Sequence, residues 1–314
     1  MYFCGVKFVQ SYVFYPLKNQ NLFIMKKLCV VLALVALLAG FCACEKEELG
    51  VYNPKLKINM IYSEEDGHYL QEQWTWDGDL LTKIDFYRKN GDIKNSNLYF
   101  YTDNRLVRIE DGDKHSDFEY EGKLLKSIKT YSGETLAETY ELTYYDKKLS
   151  HIAIKKPSKN LSGSSFLPVF LPDGGRSLDD GSKAETYNFS SADVDLLWDG
   201  DNISHLKMKL ARPDSIQKLT FSYIYDDKFN PMHGFLAIFP DHQMLNDSPQ
   251  YSLFSKNNAL TVSVTDEYDV FSKTKSYTYS YDYYKKYPTK VYSTFLNPEN
   301  WREDSTLIYT YRYQ

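Results

Sequence analysis

Cysteine is confined to the first 44 of the 314 residues, at Cys4, Cys29, Cys42 and Cys44. Residues 45–314 therefore contain no disulfide, no thiol nucleophile and no cysteine-held metal site. Their stability must come from apolar burial, for which a domain of about 260 residues is large enough. Long helical periodicity with caps is also missing from this part of the chain, which predicts few helices. So are the signatures of catalysis and cofactor binding. There is no G-x-S-x-G elbow, Walker loop or dinucleotide fingerprint, and no H-E-x-x-H spacing among His68, His115, His151, His205, His233 and His242. The sequence thus predicts no cofactor, no metal and no catalytic residue. A basic excess is lacking too. Residues 1–44 hold four Lys and no acid, which leaves 33 basic and 42 acidic side chains after them, a net charge of −9. That charge argues against nucleic acid as a partner, and against adhesion of the domain to anionic lipid by charge alone.

What the chain does have is aromatic side chains: Tyr 29, Phe 18 and Trp 4, or 16% of all residues. At this density Tyr and Phe favour strands. The N-terminus carries a different signal. Met25, Lys26 and Lys27 precede an apolar run from Leu28 to Phe41, the n-region and h-region of an export signal. The run is shorter than the ~20 residues of a transmembrane helix. It ends at Phe41-Cys42-Ala43-Cys44, followed by Glu45-Lys46-Glu47-Glu48. A small residue before a Cys at this point looks like a lipobox, with Cys44 as the acylated residue and Cys42 as the alternative. The expected organisation is a mis-called start or extended n-region over 1–24 and a lipoprotein signal over 25–43. An acidic tether over 44–55 and one β domain over 56–314 follow. Two or more acyl chains give stable anchoring, so the membrane is the first expected partner.

From residue 56 onward one unit recurs: an aromatic strand end, a polar turn with Asp or Gly, then Leu and a second apolar residue three or four positions on. Copies run from Trp74-Thr75-Trp76-Asp77-Gly78-Asp79-Leu80 to Ile84 and from Phe100-Tyr101-Thr102-Asp103-Asn104-Arg105-Leu106 to Ile109. Others run from Phe118-Glu119-Tyr120-Glu121-Gly122-Lys123-Leu124 to Ile128, and from Tyr144-Tyr145-Asp146 through Leu149 to Ile152. The unit returns at Leu197-Trp198-Asp199, Tyr223-Ile224-Tyr225-Asp226 and Tyr279-Ser280-Tyr281-Asp282. The last aromatics of the first four copies lie 25, 19 and 25 residues apart, one hairpin and a return turn per unit. Alternation such as Tyr140, Leu142 and Tyr144 against Glu141 and Thr143 marks half-buried antiparallel strands. The predicted fold is all-β: a long antiparallel meander of repeated hairpins forming a curled or barrel-like sheet with its aromatic face inside. Two stretches break the rhythm. Lys155 to Lys183 is rich in Pro and Gly, and Phe235 to Asn258 is expected to hold one short helix near Asp241 to Asn246.

The Tyr-Asp-turn-Leu units resemble the YD repeats of Rhs-type proteins in a looser form. Tyr225-Asp226-Asp227-Lys228-Phe229-Asn230-Pro231, Phe254-Ser255-Lys256-Asn257-Asn258, Tyr281-Asp282 and Tyr287-Pro288-Thr289-Lys290-Val291 give a closer resemblance. It is to Bacteroidetes lipoproteins with a domain of unknown function of porin-like fold. The resemblance implies a curved antiparallel sheet and an outer-membrane lipoprotein on the cell surface or periplasmic face, and it implies no activity or catalytic residue. It does not imply a membrane-spanning barrel, because one set of strand positions is Thr, Ser, Lys and Glu rather than apolar.

The paired acids Asp77/Asp79, Asp111/Asp113, Asp199/Asp201 and Asp226/Asp227 fall on the repeat turns, where Asp is wanted for backbone reasons. Trp74, Trp76 and Trp198 occupy the inward aromatic slot. The candidate ligand-contacting aromatics are Trp301, Tyr283 and Tyr284, at polar turns suited to stacking on a sugar ring or an apolar partner. The expected function is a non-enzymatic binding or structural module of the envelope, with a glycan or an envelope protein as partner. The alternatives are a glycan-active hydrolase with dispersed carboxylates and a carrier with an apolar groove.

Overall fold

A computed structural model describes residues 51–64, 67–156, 190–211, 215–235, 254–267, 272–296 and 303–314, all within the unit Glu47–Gln314. The acylation candidates Cys42 and Cys44, Trp301, the 241–246 helix and most of the Lys155–Lys183 stretch lie outside the described residues.

Sixteen antiparallel strands close into a barrel in chain order. They are β1 (Ile58–Ser63), β2 (Tyr69–Asp77), β3 (Leu80–Tyr87), β4 (Ile93–Thr102), β5 (Arg105–Asp111), β6 (Lys114–Glu121), β7 (Leu124–Ser132) and β8 (Thr135–Tyr145). Then follow β9 (Lys148–Lys155), β10 (Ser191–Asp199), β11 (Asn202–Ala211), β12 (Ile216–Phe229), β13 (Asn257–Glu267), β14 (Ser272–Tyr284), β15 (Tyr287–Leu296) and β16 (Glu303–Tyr313). The closing pair, β1 with β16, runs from Ile58↔Tyr313 to Ser63↔Tyr309. Closure leaves no unpaired strand edge. The all-β hairpin meander expected from the sequence is the fold.

An up-and-down barrel has two ends of different character. At the repeat end lie residues 51–57, the Asp- or Gly-bearing turns that follow β2, β4, β6, β8 and β10, and the Lys285-Lys286 turn that follows β14. Asp103 and Asn104 (φ 50° and 62°) and Asp146 and Lys147 (φ 47° and 66°) take the left-handed pair of a tight hairpin turn, and Gly78, Gly122 and Gly200 supply positive φ elsewhere. At the far end, β9 leads out to the 157–189 segment and β15 to the 297–302 segment. Where the first of these begins and ends, Lys156 N donates to Ser190 O at 3.1 Å.

Each repeat hairpin also contains a β-bulge, and this corrects the sequence reading in detail. Trp76 pairs with Leu81 but Thr75 with Lys83, which leaves Thr82 as the extra residue. Tyr101↔Leu106, Tyr120↔Leu125, Tyr144↔Leu149, Trp198↔Ile203 and Tyr283↔Pro288 each precede the same slip. An extra residue lets two inward side chains sit three apart instead of two, hence Leu81 with Ile84 and Leu125 with Ile128. The inward residues are thus Leu81 and Leu125, both buried, one position past the Leu80 and Leu124 that mark the repeat in the sequence; Leu124 is exposed. Tyr144 fills the inward slot of its unit, on the face of Tyr140 and Leu142 as the alternation predicts, and Tyr145 turns outward with 80% exposure. In four hairpins the extra residue is Ser or Thr, and its hydroxyl donates across the bulge. Thr82, Ser150, Ser204 and Thr289 bond the carbonyls of Thr75, Thr143, Leu197 and Asp282 at 3.0–3.1 Å.

The apolar core lies inside the barrel, with Ile58, Ile84, Ile109, Leu125, Val194, Leu206 and Phe221 at 0–5% exposure. The outer wall is polar and charged along the strands. Arg108 pairs with Asp117 at 2.7 Å, Lys155 with Glu141 at 2.9 Å, and His151 Nδ1 with Asp195 at 2.8 Å. A lipid-facing barrel wall needs an apolar band about 25 Å tall. Here polarity is reversed, apolar within and charged without.

Candidate functional site

The aromatic of each repeat does a specific job. On seven of the eight even-numbered strands it donates a hydrogen bond to a backbone carbonyl of the preceding odd strand. Trp76 Nε1 reaches Ile58 O (2.7 Å), and Trp198 Nε1 reaches Leu149 O (2.7 Å). The hydroxyls of Tyr120, Tyr144 and Tyr225 reach the carbonyls of Leu106, Leu125 and Ile203 at 2.7–2.8 Å. Tyr281 reaches Ala259 O and Tyr313 reaches Pro288 O, both at 2.6 Å. The register explains the regularity. Between β5 and β6 the last paired residues are Arg108 and Asp117; the latch is three residues beyond Asp117 and its acceptor two before Arg108. The same offsets hold for Ser127↔Glu141, His151↔Asp195, His205↔Ser222 and Thr261↔Thr278. Where the backbone ladder stops, a carbonyl would be left without a donor, and the aromatic side chain supplies one from inside the barrel. Burial raises the pKa of Tyr281 and Tyr313 well above the usual phenol value, so these donors keep their protons.

Inside this ring the repeat end is closed by two short segments. Tyr52, buried, donates its hydroxyl to Pro231 O at 2.6 Å. Its ring lies 6.2 Å from Trp74, 5.7 Å from Trp76 and 5.2 Å from Phe235, and Phe235 lies 4.9 Å from Trp74. Gly234, at φ +80°, makes the turn that brings Phe235 inward. The cavity lined by Tyr52, Leu81, Tyr99, Tyr101, Leu106, Gly234 and Phe235 measures about 10 Å³, room for one water at most.

The far half of the interior is different. Glu72, Asn97, Ser116, Thr130, Glu138 and Gln217 are all buried there. Glu138 accepts from the Tyr140 hydroxyl and lies 3.5 Å from Lys156 Nζ, both partners nearly buried. Gln217 Nε2 donates to Asp266 Oδ2 at 2.8 Å, and Ser116 and Thr130 share a 2.9 Å bond. Burial pushes the Glu72 carboxyl up to about 8, against a lowering by the Trp74 Nε1 donor at 2.8 Å. This is the kind of carboxyl a glycosidase acid requires, yet it is 2% exposed and bonded to a core tryptophan. Sequence reasoning missed this polar layer, because its residues sit in strand positions that otherwise read as core.

The sequence candidates separate. Tyr283 is half-buried, and its hydroxyl donates to Asp226 Oδ2. Asp226 also accepts from Asn258 N (3.1 Å), Asn258 Nδ2 (3.2 Å) and Lys228 N (2.9 Å). Next to it, Asn257 Nδ2 donates to Lys228 O (2.7 Å), Asn230 Nδ2 to Ser255 O (3.0 Å) and Ser255 Oγ accepts from Ile203 N (2.9 Å). Two of the motifs that carry the resemblance, Tyr225–Pro231 and Phe254–Asn258, thus converge on one polar brace at the base of β12 and β13. Tyr284 stands 58% exposed with Lys285 Nζ 5.3 Å from its ring. Tyr283 and Tyr284 belong to the repeat end. Asp79 and Asp201 pair with Lys57 (2.7 Å) and Lys256 (3.0 Å), turn roles as expected. His151 and His205 occupy equivalent outward positions after the bulge, opposite Thr143 and Leu197. Among the described residues no group of three or more His, Cys, Asp or Glu could hold a metal ion.

No protein-family profile and no curated protein sequence matches the chain. Solved structures do. A porin-like protein from Bacteroides vulgatus ATCC 8482 is similar over 83% of this chain and 99% of its own, at 8% identity and a TM-score of 0.50. A porin-like protein from Bacteroides uniformis ATCC 8492 is similar over 84% and 98%, at 13% identity and a TM-score of 0.44. At such identity the first likeness shows the fold: the chain has a porin-like β-barrel.

Proposed function

We propose that this protein is a lipid-anchored module of the cell envelope, held to the outer membrane through Cys44, with its barrel acting as a rigid, non-enzymatic scaffold. The observation that carries the reading is the reversed polarity of the barrel. Its interior is filled by rings, aliphatic side chains and a bonded polar layer, and its outer wall bears cross-strand ion pairs. Such a barrel offers neither an aqueous channel nor a lipid-facing wall. What it offers is a fixed platform for exposed turns and connections, with Tyr284 among the aromatics available to a glycan or an envelope protein. The neighbours' description as porin-like proteins of Bacteroides supports an envelope setting. Intact-mass analysis of the processed chain tests the anchor: a diacylglyceryl and acyl adduct on Cys44 is expected, absent in Cys44→Ala. An unmodified N-terminus would overturn it. Planar-bilayer recording tests the closed barrel, with no conductance expected.

A further inference from the structure

We infer that the repeat end of the barrel is a bilayer-contacting face, so that the domain stands on the membrane by its hairpin turns and presents the far end outward. The inference rests on the lipid anchor proposed above and adds an orientation to it. Three observations carry it. First, the tether enters the domain at this end. From Cys44 to Leu56 is 12 residue steps, a reach of at most ~40 Å, and Ile58 opens β1 at the repeat end.

Second, exposed apolar side chains concentrate there. Of the ten large hydrophobic residues that stand exposed among the described residues, seven lie at or next to this end: Val51, Phe100, Leu124, Tyr145, Leu197, Ile224 and Tyr284. Tyr145 and Tyr284 project from two turns of the same make-up, Tyr145-Asp146-Lys147-Lys148 and Tyr284-Lys285-Lys286. Tyrosine beside lysine suits the headgroup level of a bilayer, where the ring is partly buried and the ammonium meets phosphate.

Third, charge is distributed to match. The described segments at this end (51–57, 77–80, 102–105, 121–124, 145–148, 199–202, 226–235, 254–256 and 284–287) hold ten Lys and Arg and nine Asp and Glu. Counting Glu45, Lys46, Glu47 and Glu48 of the tether, this end is within one charge of neutral, while residues 45–314 together carry −9. An anionic surface repels the rest of the domain and tolerates this end.

The absence of cysteine beyond residue 44 makes the test direct. Glu121→Cys and Glu134→Cys place a fluorophore at the two ends of β7, about 30 Å apart for a nine-residue strand. Both sites are exposed. The acylated full-length protein is reconstituted in vesicles of phosphatidylcholine and phosphatidylglycerol containing a headgroup-region quencher lipid. Emission from the Glu121 label should be lost while that from the Glu134 label is kept. Tyr145→Ser with Tyr284→Ser should weaken the quenching at Glu121 without releasing the protein from vesicles. Equal quenching of both labels, quenching of Glu134 alone, or quenching of neither in protein that co-floats with vesicles would overturn the orientation. Protein that fails to float and lacks the acyl mass overturns the anchor instead, so the two failures are told apart.

Discussion

The two halves of the barrel interior are built on different rules. Near the repeat end, rings from successive strands occupy one level, each sealing a carbonyl of its neighbour, and Tyr52 and Phe235 fill the space between. Toward the far end the inward positions mix Ile154, Ala192 and Leu210 with Glu72, Asn97, Ser116, Glu138 and Gln217, and Trp74 and Tyr140 each bond the carboxyl two residues before them on the same strand. A periodic sequence therefore marks only one half of the wall. The difference teaches that the repeat is a device for ending strand pairs. Each strand pair must stop somewhere, and a buried stop needs a donor for the last carbonyl.

The sharpest way to break the contrast is to empty the repeat-end core. Trp74→Ala removes a ring that touches Tyr52 and Phe235 and should cost about 3–5 kcal/mol in urea unfolding. The far half should answer to pH instead. The Glu72 carboxyl is held near 8 when folded against 4.5 as its ordinary value. The folded state therefore keeps a proton that the unfolded chain releases, and stability falls as pH rises from about 4.5 to about 8. Glu72→Gln should remove that part of the slope in Tm against pH and raise Tm most at the alkaline end. A single latch is worth less. Tyr144→Phe or Tyr120→Phe leaves a carbonyl without its donor and should cost ~1 kcal/mol each. Smallest of all, Tyr145→Ser should change stability by no more than ~0.5 kcal/mol. If Tyr144→Phe and Tyr145→Ser had equal effects, the assignment of inward and outward rings would be wrong.

Much of this was legible in the chain. Tyr140, Leu142 and Tyr144 against Glu141 and Thr143 announce a wall with one wet face, and Asp103-Asn104 announces a hairpin turn. The turn roles of Asp79 and Asp201, and the inward positions of Trp74, Trp76 and Trp198, follow from the same pattern. The choice of Leu125 over Leu124 did not follow. A bulge shifts the facing of a strand by one residue, and nothing local in Leu124-Leu125 says which of two equal side chains takes the inner position. The polar layer was also hidden, because Asn97 and Ser116 alternate as any core residue would.

For the candidate site, the sequence picked out the exposed Tyr284 and the motifs around Asp226. Only the closed barrel shows that residues 32 and 57 positions from Asp226, Asn258 and Tyr283, meet on its carboxylate.

By itself the sequence determined strand, turn and the hydrophobic sense of each face, since these depend on side chains two to five residues apart. Tertiary structure alone decided that the wall closes, that the rings serve as donors to the neighbouring strand, and that both kinds of interior lie within one barrel. Those outcomes depend on which strands pair and where each pairing ends, and register is set by the packing of the whole wall rather than by any one hairpin.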